Sequence, residues 1–328
     1  MLWLASLLGI VAVGSVGMVD FSNSADEDIE DDVDTNPLGT SPILPETTDS
    51  AIDGSDGNDT LVGTDDADLI HASSGDDEIG GMGGDDSISG DGGDDALFGM
   101  DGDDTLVGGV GHDTLHGEDG ADVLLGDDGD DVLIGHNDDD TLFGGSGNDA
   151  LQGSAGDDVI AGQAGDDAIQ GGLGDDELTG GQGADTLFGG WGNDTLSGVD
   201  VALSEQDSDE GDFLNGGGGD DVIIAGNDDI ASGGEGDDTF VLGDWFNSGQ
   251  SAQISDYDSE SDSLVLVYDD DETNMPDISL ESDPDDEGTT HVLLDGIAVA
   301  KVQGSQLDIE DIALMPLAVA QTAGFAPL

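Results

Sequence analysis

From Gly54 to Ser197 the chain repeats every nine residues: 144 residues, 16 units, with no insertion or deletion. The sixth position is Asp in all 16 units: Asp59, Asp68, Asp77, Asp86, Asp95, Asp104, Asp113, Asp122, Asp131, Asp140, Asp149, Asp158, Asp167, Asp176, Asp185 and Asp194. The eighth is Leu or Ile in all 16, from Leu61 and Ile70 to Leu196. The first is Gly in 15, with Ala72 the exception, and the fourth is Gly in 14, with Asp66 and Asp138 the exceptions. A unit this short cannot bury a core alone. Stability has to come from stacking units on one another, so the period dictates a solenoid.

The phase survives an interruption. Gly198 to Gln206 does not fit the pattern, yet Asp212 and Leu214 resume it, followed by Asp221 and Ile223. The next unit is one residue short before Asp229, and Gly233 to Val241 closes the array with Asp238 and Phe240. Residues 198–206 are expected to replace one unit, as a surface bulge over a continuous coil.

Each position has a physical reading. Glycines at the first and fourth positions permit the positive φ values of a tight loop and leave carbonyls free to face a cation. The three residues around the eighth position are expected to form a short strand with the Leu or Ile inward. One unit is then half a coil, and a pair of units makes a full turn. Turns stack about 4.8 Å apart, so units n and n+2 share an edge and their aspartates approach one another. Every ligand on offer is oxygen, the hard set that suits Ca²⁺.

The pattern G-G-x-G-x-D-x-U-x is seen in full at Gly144-Gly145-Ser146-Gly147-Asn148-Asp149-Ala150-Leu151-Gln152. Over residues 54–241 the sequence resembles the RTX, or haemolysin-type, calcium-binding nonapeptide family. The resemblance implies an all-β, right-handed parallel β-roll, in which the sixth-position aspartates meet loop carbonyls around Ca²⁺. The metal residues it implies are the 16 aspartates above, together with Asp212, Asp221 and Asp238. Bridging n to n+2 within 16 units allows at most 14 ions. One departure stands out: the second position is Gly in only five units, at Gly109, Gly145, Gly172, Gly181 and Gly190.

Charge narrows the partners. There are 80 acidic residues, one basic residue (Lys301) and a formal net charge of −79. Nucleic acid, anionic headgroups and phosphorylated ligands are repelled by such a field, and the natural counter-partner is a cation. With stacked carboxylates and one apolar side chain per nine residues, the fold is expected to fail without metal. Folding and calcium binding then become one equilibrium. Extracellular modules of this kind bind Ca²⁺ at about 10⁻⁴–10⁻³ M, which places the array outside the cell. There is no cysteine, hence no disulfide or thiolate site.

Outside the array, residues 1–19 hold an uncharged apolar run, Leu2 to Val19, with the length of a membrane-anchoring helix. A removable signal peptide is the rival, although no Lys or Arg precedes the run. Either reading makes the protein secreted or tethered to the surface. Residues 20–53, acidic and then Pro-bearing, read as a disordered spacer. Residues 242–316 read as a β-rich region resembling the C-terminal cap of RTX and serralysin proteins, where it closes the end of the coil. Ser263 to Tyr268 is a strand, Thr289 to Leu294 and Ile297 to Val302 flank the hairpin signal Asp295-Gly296, and Leu307 to Leu314 is a last short element. In that family the export signal of type I secretion is C-terminal, and residues 317–328 are its candidate. An N-terminal export signal would make it redundant.

No enzyme is expected. About 34 residues separate the apolar run from the first unit. His112 and His116 have the i, i+4 spacing of a zinc helix, but the repeat places them in a loop and a strand, without the glutamate base. They are expected to be exposed residues of variable slots. No G-x-S-x-G elbow and no cysteine nucleophile occurs. The expected function is a calcium-folded structural element at the cell surface. The alternatives are a scaffold displaying a C-terminal partner-binding module, with Trp245, Phe246, Tyr257 and Tyr268 as contacts, or a simple calcium buffer.

Overall fold

The computed structural model describes residues 51–199, 211–243, 251–268, 275–284, 286 and 288–323. The apolar run, the spacer up to residue 50, Trp245, Phe246 and residues 324–328 lie outside them.

The described chain winds into two layers, sheets of 13 and 14 strands, and up to Tyr268 successive strands are parallel within a sheet and alternate between the two. Within a sheet the paired residues are one coil apart. Leu115 pairs with Leu133 and Leu133 with Leu151 in one sheet, and Leu124 with Leu142 in the other. The step is 18 residues, the same as between Asp113 and Asp131 along a corner. Two nonapeptides therefore make one coil, as the period predicts.

The strands are longer than the expected three residues. Val132–Asn137 and Ala150–Ala155 are typical, running six residues from the seventh position of one unit to the third of the next. The corner needs only the fourth to sixth positions, which leaves the rest extended. Along these strands buried residues alternate with less buried ones, as a pleated strand facing one core requires. The eighth-position residues from Leu61 to Leu196 are all 0–2% exposed and form two ladders between the sheets, one on each.

Backbone conformation also departs from expectation. Positive φ falls on the second and fourth positions, not on the first and fourth. Gly145 (φ 121) and Gly147 (φ 133) show the pattern within one unit. From the third unit on, a second residue that is not glycine adopts the left-handed region all the same, as at Glu118 (φ 83), His136 (φ 88) and Gln163 (φ 79). Fourth-position Asp138 does likewise (φ 70). At Gly111, a Cβ would also overlap the carbonyl of Gly93 one coil away.

Across the interruption the pairing step lengthens by nine residues. Thr186–Trp191 pairs with Phe213–Gly218, and Thr195–Ser197 with Val222–Ala225, each across the length of three units instead of two. The strand at Phe213 pairs where a strand nine residues earlier in the sequence would continue the two-unit step. The short unit before Asp229 is absorbed by a 17-residue step, as at Leu214 to Ala231 and between Asp212 and Asp229.

Both sheets continue past Val241. Ala252–Tyr257 and Ser263–Tyr268 add in parallel, one to each sheet. Tyr257 is 1% exposed, with its ring centroid 6.3 Å from that of Phe240. Packing, not partner contact, accounts for it. The Asp295-Gly296 turn (φ 51 and 81) joins Thr289–Leu294 to Ile297–Gly304 in an antiparallel hairpin. The last element is a turn at Ile309–Asp311, a strand at Ile312–Pro316 and a helix at Leu317–Ala323. Among the described residues no helix is long and apolar enough to cross a membrane.

Candidate metal centre

The corners of the coil line up the sixth-position aspartates in two rows, one for each edge. The backbone N–H of each Asp donates to Oδ1 of the Asp one coil further on. One row runs Asp59, Asp77, Asp95, Asp113, Asp131, Asp149, Asp167, Asp185, Asp212 and Asp229, with N···O distances of 2.6 to 2.9 Å. The other runs Asp68, Asp86, Asp104, Asp122, Asp140, Asp158, Asp176, Asp194, Asp221 and Asp238 at 2.7 to 3.0 Å, then reaches Asp262 at 3.3 Å. The sixth-position carbonyls are used as well: Asp86 accepts from the Thr105 N–H at 2.9 Å, and Asp104 from Val123 at 2.9 Å. Asp supplies an acceptor short enough to reach the next corner, and in all 16 units the sixth position is Asp.

The second carboxylate oxygen has a different fate. From Asp77 to Asp194, and again at Asp221, Oδ2 is buried and no donor reaches it. These side chains belong to residues only 1–3% exposed. First-position glycine makes the room. A Cβ on Gly81 would overlap Asp86 Oδ2, and the Gly99 carbonyl oxygen lies 2.8 Å from the same point. Gly90, Gly144, Gly162 and Gly216 repeat the arrangement with Asp95, Asp149, Asp167 and Asp221, each with a carbonyl from the next coil at 2.8 Å. A carboxylate oxygen and a carbonyl oxygen thus converge in a buried corner, two acceptors without a proton between them. Unsatisfied buried acceptors are costly. A cation satisfies both.

Burial drives the electrostatics. Desolvation pushes the Asp140 carboxyl up to about 8; the Asp122 N–H opposes the shift, and the charges of Asp122, Asp158 and Asp138 add to it. The same cause lifts Asp122, Asp167, Asp176 and Asp221 to about 7. Asp86, Asp95, Asp113, Asp149, Asp158, Asp185 and Asp238 rise to about 6. Asp77, Asp104, Asp131 and Asp194 rise too, again chiefly through burial. Negative charge in these corners is unfavourable unless a positive ion shares them. All-oxygen donors, repeated charge and shielding from water fit Ca²⁺.

The rows separate the sequence-predicted residues into two kinds. Asp59 and Asp68, in the first two units, have Oδ2 already engaged. Ser55 donates to Asp59 from its N–H (2.6 Å) and Oγ (2.8 Å), and Thr64 to Asp68 from its N–H (2.6 Å) and Oγ1 (2.9 Å). A second-position hydroxyl is not enough to signal this in the sequence, because Ser73 and Ser154 occupy the same slot while Asp77 and Asp158 keep an Oδ2 that no donor reaches. Two further members of the rows, Asp229 and Asp262, fall where the nine-residue spacing breaks. At Asp229 the short unit still preserves the bond from Asp212, and the Gly226 N–H donates to its Oδ2 at 2.6 Å. Units lacking a fourth-position glycine differ as well: the corner with Asp138 still buries Asp140, whereas the corner with Asp66 leaves Asp68 half-buried. His112 is exposed in its corner and accepts from the Asp130 N–H at 3.0 Å. His116 lies in a strand but is half-buried, not exposed as expected.

No curated protein matches this chain. Among solved structures it is similar to the extracellular lipase LipA from Serratia marcescens, with 16% identity and a TM-score of 0.26 over 82% of this chain. It spans only 41% of the lipase chain, and a likeness that distant bears no weight on function. The family model for the RTX calcium-binding nonapeptide repeat matches residues 53–88, 80–115, 116–151, 143–178, 170–198 and 207–240, more than half of the chain. The chain belongs to the RTX calcium-binding nonapeptide repeat family.

Proposed function

We propose that this protein is an extracellular structural element that folds as it binds calcium, and that it has no catalytic role. The observation that carries the reading is the double row of buried Oδ2 atoms that no donor reaches. Beside Asp86, Asp95, Asp149, Asp167 and Asp221 a carbonyl of the next coil shares the corner, and a bound cation satisfies both oxygens. The apolar core of one Leu or Ile per unit is narrow, and burying it cannot by itself offset the entropy of ordering nine residues and the repulsion between neighbouring carboxylates. An ion that binds the folded state alone contributes the difference.

Low cytosolic calcium keeps such a chain unfolded and export-competent; the higher concentration outside folds it. Export through a C-terminal signal of the type I kind, and an N-terminal run that is cleaved or retained as an anchor, belong to the same proposal. The carboxylates act as ligands, not as acid/base groups. At 1–3% exposure they are out of reach of a substrate. The strands past Val241 extend both sheets and end one of them in an antiparallel hairpin, and we assign them the task of closing the coil's exposed edge.

The test is far-UV circular dichroism of the full chain during a calcium titration, with magnesium as control. A sharp coil-to-β transition between micromolar and millimolar calcium, absent with magnesium, is expected. A chain already β-rich in chelator, or still disordered at about 10 mM calcium, overturns the reading.

A further inference from the structure

We propose that the outer face of the 14-stranded sheet carries a second kind of metal site, built from His116, Glu118 and His136 and selective for a borderline transition-metal dication such as Zn²⁺. The coil pitch assembles it. His116 and Glu118 lie two residues apart on the strand Thr114–Asp119, alternating with the buried Leu115 and Gly117, so both side chains leave the sheet on the side away from the core. His136 pairs with Glu118 on the neighbouring strand Val132–Asn137.

The ligand atoms converge. His116 Nδ1 lies 2.9 Å from His136 Nε2, and His136 Nε2 lies 3.8 Å from Glu118 Oε1. One ligand atom from each of the three residues falls within 4.8 Å of the others. Tetrahedral zinc with bonds near 2.0–2.1 Å holds two imidazole nitrogens about 3.3 Å apart. The observed pair reaches that spacing by a small rotation of either ring. All three residues are half-buried. The Phe98 ring stacks on His116 at a centroid distance of 5.1 Å and an interplanar angle of 11°, walling one side and limiting ring movement. The sheet face thus supplies two nitrogens, one carboxylate and an open direction toward solvent for a water ligand.

This donor set differs in kind from the corner sites. Imidazole nitrogen is a poor ligand for Ca²⁺ and a good one for Zn²⁺, Cu²⁺ or Ni²⁺, so saturating calcium does not compete for it. Burial, and to a lesser degree the neighbouring His136, lowers the pKa of His116, opposed by Glu118. A metal binds the neutral ring through the nitrogen that carries no proton. Because the cluster depends on two stacked coils, it exists only in the folded repeat, and in that respect it rests on the proposed calcium-driven folding.

The experiment uses the full chain saturated with calcium, its β-structure verified by circular dichroism so that a folding failure is recognised as such. Cobalt(II) is the probe. One equivalent is expected to give visible d–d absorption, discharged by an equivalent of zinc. His116→Gln and His136→Gln are expected to lose the band while retaining the β spectrum. His112→Gln, on an exposed ring outside the cluster, keeps it. Absence of the band in the folded wild-type chain overturns the proposal. So does a band that survives in both cluster variants, which assigns the cobalt to surface carboxylates.

Discussion

Asp122 donates its backbone N–H to Asp140 Oδ1 at 2.9 Å, while Asp140 Oδ2, buried in the same corner, has no donor. One oxygen builds the coil and the other awaits a cation. Substitution can separate the two tasks, because Asn keeps an acceptor for the first and removes the charge needed for the second. Asp140→Asn is expected to lower the ion count by one or two in calorimetric titration. A loss of about 3 kcal/mol shared among many ions moves the calcium midpoint only roughly twofold, so stoichiometry is the sharper readout. Asp59→Asn, whose Oδ2 is held by Ser55, is expected to leave the ion count unchanged. Equal losses in the two variants would refute the division of the rows.

A pH dependence of the metal-free protein follows from the raised carboxyls. Burial lifts Asp140 from 3.8 to about 8, Asp122 and Asp167 to about 7, and Asp86 and Asp95 to about 6. Between about pH 4 and 8 the folded coil therefore binds more protons than the unfolded chain, and its stability falls as pH rises through that window. In chelator, β-structure is expected to grow as the pH is lowered from 8 to 5. Protons and calcium stabilise the same fold through the same oxygens, so the calcium needed to reach the folding midpoint is expected to fall over the same interval. Circular dichroism at a series of pH values checks both. A metal-free spectrum that stays disordered down to pH 5 contradicts the burial of these groups.

Much of this is legible in the sequence because one residue type holds one task at every turn. Sixth-position Asp announces the two rows, and eighth-position Leu or Ile announces the core between the two sheets. The first-position glycines are legible as a pattern but not in purpose. They make room for a carboxylate instead of turning the chain, and composition alone does not distinguish those two uses. The second position hides its left-handed backbone because Glu118, His136 and Gln163 occupy it without being glycine. Nothing local marks Asp262, since no repeat surrounds it, although it accepts from Asp238 as any member of the row would. The His116 and His136 pair is separated by 20 residues, which no local motif spans. Only the pitch of two units per coil, applied to the ninth and second positions, brings the two together.

The same pitch predicts which residues the coil can lose. Ile169 pairs with Leu187 two units on, whereas Leu187 pairs with Leu214 at the distance of three units. Nine of the residues between Val199 and Gly211 are thus surplus to the pairing register. Deleting 201–209 restores the two-unit step and returns Asp212 to the sixth position counted from Gly198. Shortening a loop by nine residues changes its closure entropy by well under about 1 kcal/mol, so the calcium midpoint is expected to stay within roughly twofold of the parent. Deleting six residues, 201–206, leaves the pairing register attainable only with a three-residue remnant looped out at the corner, and a larger shift is expected. Calcium titrations of the two deletions, followed by circular dichroism, decide the matter. If the nine-residue deletion abolishes the transition while the six-residue one spares it, the segment contributes to folding in a way the register does not require.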